Sequence, residues 1–146
     1  MDDDKVAVLV KRAALEFERS SNPLLAQHGL TGAQYRVLKY LYVMEGTPVR
    51  TVDIERHYSL THPSTIGLLD ALEKKGYVLR TPNPADARSR LVELTNKAID
   101  EREDLFDLGD RLEREFTSSL SEAERLQLID LLKRVLKDDS REGLAK

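Results

Sequence analysis

Three histidines, His28, His57 and His62, are the side chains of this 146-residue sequence best suited to proton transfer near neutral pH or to metal ligation, and their spacing forms no HExxH or other metal-ligand signature. Cysteine is absent. That removes disulfides, thiolate-ligated zinc, iron–sulfur clusters, thiol nucleophiles and a cysteine-based peroxide switch together. Serines and carboxylates are present, but no nucleophile elbow, GxGxxG turn or Walker A loop organises them. The expectation is a protein that is not an enzyme and needs no cofactor and no metal, with an enzyme of unknown reaction kept as an alternative.

A different chemistry is better furnished. His62, Pro63, Ser64 and Thr65 stand at the start of a predicted helix, where backbone amides and the positive dipole end favour phosphate, and small hydroxyls can reach base edges in a major groove. Arg88 and Arg90 follow a turn-rich stretch, where extended guanidinium groups can reach phosphates or enter a narrow minor groove. The competing reading is that Thr61 and Ser64 merely cap an ordinary helix and that Asp86 and Arg88 are a surface pair.

The elements that would position these groups follow from periodicity. Val6, Leu9, Val10, Ala13, Ala14 and Phe17 predict a helix over residues 5–20, broken by Asn22, Pro23, His28 and Gly29. Thr31 caps a predicted helix from about 32 to 44, stopped by Gly46, and Thr51 a short one over about 52–57. Thr61 opens the next, with Pro63 in its first turn and Ile66, Leu69 and Leu72 on its apolar side, and Gly76 ends it. Two short helices joined tightly have the form of a helix-turn-helix. Period-two patterning then predicts strands at 77–80 and 90–94 around a loop at 82–86, which makes a winged helix-turn-helix. Thr95 caps a predicted long helix to about 118 or 119, although Gly109 costs about 1 kcal/mol of helix preference. Ser121 with Glu124 forms a capping box for the last helix, rich in Leu128, Leu131, Leu132, Val135 and Leu136.

The fold class is therefore mainly α with a small β-wing, as a single chain over 1–146. Within it, 31–94 is the winged region, and 5–20 with 95–138 a helical dimerisation region. A chain this long buries roughly two-thirds of its unfolded surface, so no staple is required. The net charge is −3, so bulk attraction to a polyanion is not expected. Residues 47–95 carry seven basic and six acidic groups, whereas 96–146 carry ten and fourteen. A nucleic-acid surface thus belongs to the middle third. With no signal-peptide core and no run of about 20 apolar residues, the expected location is cytoplasmic, with no membrane contact.

The stretch SLTHPSTIGLLDALEKKGYVLRTPNPADARSRLVELT resembles the recognition helix and wing of the MarR family of winged-helix transcription regulators. HPST before LLDALEKKGYVLR, the D-A-R of Asp86, Ala87 and Arg88, and LVELT ending at Thr95 carry the likeness, and LTGAQYRVLKYL resembles the family's second helix. One departure is Ala71, where many relatives have Arg. The resemblance implies an obligate homodimer on double-stranded DNA with a near-palindromic operator, usually acting as a repressor. It also implies that Arg88 approaches the minor groove, that Asp86 braces the wing through a salt bridge, and that His62, Pro63, Ser64 and Thr65 open the recognition helix. Release by a small aromatic ligand is a further expectation, with a candidate pocket bordered by Phe17, Tyr35, Arg36 and Tyr42, against the reading that these aromatics only fill the core. The alternative function is a winged-helix protein-interaction module without specific DNA binding.

Overall fold

The computed structural model describes residues 4–137, so residue 138 of the expected dimerisation region lies outside the described residues. The order of elements is α1 (Val6–Ala26), α2 (Gly32–Val43), α3 (Thr51–Tyr58), α4 (His62–Lys74), β1 (Val78–Asn83), β2 (Asp86–Leu94), α5 (Asn96–Asp100), α6 (Arg102–Phe116) and α7 (Glu122–Leu136). Two compact units result, residues 1–109 and 110–146. None of the described helices is long and apolar enough to cross a membrane.

In the first unit, α2 begins with a reciprocal capping box in which Thr31 accepts from the Gln34 amide and Gln34 accepts from the Thr31 amide. Its inward side supplies Val37, Leu38 and Leu41, which pack in a core shared with Ile54 of α3, Leu69 and Leu72 of α4 and Val78 and Val92 of the strands, all buried. β1 and β2 pair antiparallel from Val78↔Leu94 to Pro82↔Arg90, and the register shifts before Asn83↔Asp86. The segment before α3 adds a third rung, because the Val92 amide donates to the Val49 carbonyl at 2.8 Å and Arg50 bridges Leu91. In the second unit, α7 opens with the expected Ser121–Glu124 capping box. Arg125 reaches Glu122 and Glu113 at 2.8 and 2.9 Å.

Four local expectations need correction. The first helix runs through Pro23 to Ala26 rather than stopping near residue 20. Burial of Ser21 and Leu25 outweighs the hydrogen bond that proline deletes. Arg50, not Thr51, is the N-cap of α3, and its amide is satisfied by the Asp53 carboxylate at 2.8 Å. The long helix from Thr95 divides at Glu101 into α5 and α6, and the Glu101 carboxylate accepts from the Tyr77 hydroxyl. The strands are longer than period-two patterning implied. Only Pro84 and Ala85 separate them, so Arg88 stands on β2 itself, together with Arg90 of the expected strand.

Candidate nucleic-acid interface

The turn between α3 and α4 is set by Ser59, a non-glycine residue in the left-handed region at φ 53°, and by the Leu60 amide, which donates to the Glu55 carbonyl at 2.9 Å. Thr61 then caps α4. Its Oγ1 accepts from the Ser64 amide at 3.2 Å and donates to Ser64 Oγ at 2.9 Å. The Ser64 hydroxyl is exposed and keeps its own proton to give away. His62 Nδ1 lies 2.5 Å from Glu55 Oε1, which fastens the start of α4 to α3 while two-thirds of the imidazole stays in solvent. Pro63 beside it is exposed.

Thr65 departs from the expected set. It is fully buried, and its hydroxyl donates to the Thr61 carbonyl at 3.0 Å, so it is a core residue here and offers nothing to a groove. The signal was present in the spacing: residues 65, 69 and 72 fall on one helical side, with Leu69 and Leu72.

The outward side of α4 runs through Pro63, Ser64, Gly67, Asp70 and Lys74, all exposed. It bears carboxylates that would repel phosphate, and Arg80 of β1 answers them. Its guanidinium reaches Asp70 Oδ1 at 2.6 Å and Glu73 Oε2 at 3.0 Å, and its amide also donates to Glu73. The hydrogen bond from Arg80 holds the Glu73 carboxyl below its ordinary range, against a small opposing effect of burial. Sequence reading counted Arg80 among the basic groups without giving it a task. Carboxylates at i and i+3 on a helix, followed by a strand arginine, are the pattern that would have shown it, and the pairing offsets the charge of Asp70.

On the wing, Arg88 is the most extended cation. Its side chain is 94% exposed and its Nε stands a long 3.4 Å from Asp86 Oδ1. The same carboxylate oxygen accepts from the Arg88 amide at 3.0 Å, so Asp86 secures the backbone of the wing more closely than it holds the guanidinium. Asn83 completes the tip by accepting from the Ala85 amide and donating to Ser89 Oγ. Arg90, beyond the register shift on β2, donates to the Arg80 carbonyl at 3.3 Å.

Two of the four residues expected around a ligand, Tyr35 and Tyr42, are committed to the core. Tyr35 is buried and donates to the Leu105 carbonyl at 2.9 Å. Tyr42 is buried and donates to the Ala98 carbonyl at 2.6 Å. Burial, with the nearby Tyr77 and Glu101, pushes the Tyr42 hydroxyl up to about 12. Both tyrosines are core residues with their polar ends satisfied. Phe17 is half-buried on α1, and Arg36 edges a small hollow of about 90 Å3 with Tyr58, Leu60 and Leu68. A larger cleft of about 410 Å3 lies elsewhere, bordered by Leu41, Met44, Pro48, Leu91, Leu94 and Ile99. Tyr35 also accounts for Gly109: a Cβ there would stand 2.2 Å from the tyrosine hydroxyl.

Comparison with known proteins places this geometry. The model of the MarR family matches residues 28–89, from the start of α2's approach to the wing arginine. The chain is 33% identical over 120 residues to the multiple antibiotic resistance protein MarR of Escherichia coli, covering 82% of each. A mutant of MarR from E. coli complexed with operator DNA superposes with a TM-score of 0.80 at 31% identity, over 90% of this chain and 93% of that one. The MepR–DNA complex of S. aureus gives 0.81 at 27% identity, over 91% and 96%. A mainly helical chain with this helix-turn-helix, this hairpin wing and these relatives belongs to the MarR family of winged helix-turn-helix transcriptional regulators, and is a DNA-binding regulator rather than an enzyme.

Proposed function

We propose that the protein is a homodimeric repressor that binds a near-palindromic duplex operator through α4 and the wing and releases it when a small ligand binds. The observation that carries the DNA-contact assignment is Arg88, an almost fully exposed guanidinium at the wing with only a long contact to Asp86. His62, Pro63 and Ser64 are the contacts at the start of α4, Arg90 gives secondary support from β2, and Asp86 braces the wing. Thr65 moves from contact to scaffold. Two solved relatives, MarR and MepR, are bound to DNA in structures that share this fold.

Dimerisation is supported by apolar surface left in solvent. On α1, Val6, Leu9, Val10 and Leu15 are exposed; on α7, so are Leu126, Leu128, Leu131, Val135 and Leu136. An obligate interface buries at least roughly 2,000 Å2 in total, and sides of this kind supply it. For release, a small aromatic ligand beside Phe17, Tyr35, Arg36 and Tyr42 would leave the two tyrosine hydroxyls on their backbone carbonyls.

Titration of wild type and Arg88→Ala against one selected operator at several salt concentrations tests the contact. Loss of one phosphate contact per subunit lowers the salt slope by about two for a symmetric dimer. Arg88→Lys restores part of the affinity, because the ammonium keeps the charge and loses the planar fork. Equal affinities and slopes, with both proteins folded, would leave Arg88 an ordinary surface charge. A second reading, a winged module that docks on protein without specific duplex binding, is favoured by Asp70 and Glu73 on α4. Salt-insensitive or absent duplex binding by the wild type would select it.

A further inference from the structure

Gly67 sits in the middle of α4, on the outward side between Ser64 and Asp70, and its own chain gives no reason for a glycine there. A Cβ at residue 67 would meet no heavy atom within 4 Å, and its backbone is outside the left-handed region. Four of the other five described glycines are accounted for. Gly29, Gly46 and Gly76 have positive φ. Gly109 makes room for the Tyr35 hydroxyl; Gly32, at the first position of α2 rather than in a helix interior, would bring a Cβ only to an ordinary 3.5 Å from Arg36 Nη1. Glycine weakens a helix interior relative to alanine, so residue 67 carries a stability cost with no internal return.

We infer that Gly67 is a specificity-determining position: the missing side chain leaves a notch on α4 into which a thymine C5-methyl group projects from the major groove. The inference rests on the reading of α4 as the groove-entering helix. One turn to either side stand Pro63 and Ala71, so the flanks of the notch offer carbon rather than competing donors. Ser64 and Asp70 border it with polar atoms already engaged by Thr61 and Arg80. A Cβ in the notch would hold the helix off the bases at that step alone, and would leave the phosphate contacts of the wing in place.

The test uses the full chain. Wild type selects an operator from a randomised duplex library, and wild type, Gly67→Ala, Ser64→Ala and Arg88→Ala are then titrated against that operator, against random duplex, and against operators in which each thymine in turn is replaced by deoxyuridine. Gly67→Ala is expected to raise Tm by about 2–6 °C, to weaken the selected operator by about tenfold, and to leave random-duplex affinity and the salt slope unchanged. Removing one thymine methyl should weaken wild type and leave Gly67→Ala indifferent at that step. A Gly67→Ala protein that binds the operator as tightly as wild type, or one that is less stable, overturns the inference. Where Ser64→Ala and Arg88→Ala weaken binding and Gly67→Ala does not, only this inference falls. Where wild type selects no duplex, the reading of α4 falls with it.

Discussion

Helices α4 and α7 are of similar length, 13 and 15 residues, each capped by a hydroxyl that accepts from the third amide and each amphipathic along its course. Their apolar residues meet opposite ends. Leu69 and Leu72 of α4 are fully buried, together with Thr65, against the rest of the winged region. No residue of α7 is buried, and Leu126, Leu128, Leu131, Val135 and Leu136 remain exposed. The same local signal therefore makes a helix in both places, and says nothing about whether its partner lies in the same chain. For α4 the partner is internal; for α7 the exposed carbon is the argument for a second copy.

That contrast breaks cleanly under truncation. Leu69→Ala should cost about 2–5 kcal/mol, since it removes buried methyl groups from a core that cannot fully collapse. The loss should be the same at every protein concentration. Leu131→Ala should instead lower Tm in a concentration-dependent way, because an interface stabilises by mass action. Urea unfolding of both variants over a wide range of protein concentration distinguishes them; a concentration-independent loss for Leu131→Ala would place its partner within the chain.

A charge on α7 sharpens the same point. Leu131→Glu leaves the single chain's buried core untouched, yet puts a carboxylate into the proposed interface and should weaken dimerisation at least about 100-fold. Sedimentation should show monomers at micromolar concentration, and operator affinity should fall with them. A dimer of undiminished stability would move the interface away from α7.

The two glycines in helix interiors, Gly67 and Gly109, give a smaller contrast of the same kind. Gly109→Ala gains helix preference but drives a Cβ to 2.2 Å from the Tyr35 hydroxyl, whose donation to the Leu105 carbonyl pins α2 to α6. Overpacking of this sort costs about 1–3 kcal/mol, which should exceed the gain of about 1 kcal/mol, and Tm should fall. Gly67→Ala has the same gain and no clash, so the two substitutions should move Tm in opposite directions.

These cases show where the sequence was legible. Helix starts at Thr31, Thr61 and Ser121 were readable because a cap is a local device with fixed offsets. The helix-turn-helix and the exposure of Ser64 and Arg88 followed from the same local logic. The continuation through Pro23 and the break at Glu101 are not legible locally, because burial of Ser21 and Leu25 and a long-range bond from Tyr77 accompany them. Thr65 was placed in the groove by its residue type, when its helical phase with Leu69 and Leu72 already put it inside. Arg80 could be counted from the sequence, but its task depends on a hairpin that returns β1 to the side of α4.

That tether yields the smallest and most conditional effect. In the fold, Arg80's hydrogen bond keeps the Glu73 carboxyl ionised to lower pH than an ordinary glutamate, whose value is 4.5. A carboxyl whose pKa is depressed on folding contributes stability that is present above its unfolded value and is lost as pH falls through the folded one. The Tm difference between wild type and Arg80→Met should therefore be greatest near neutral pH and should shrink as pH drops below 4.5. Asp53 also titrates low, because the bonds from Arg50 outweigh its burial, but that pair is intact in both proteins and cancels in the difference. Operator affinity adds a second readout. Arg80→Met uncovers Asp70 on the outward side of α4 and the half-buried Glu73 beside it, so it should weaken duplex binding most at low salt, where uncompensated carboxylates repel phosphate most strongly. A Tm difference independent of pH, with an unchanged salt profile, would reduce the network to surface pairing.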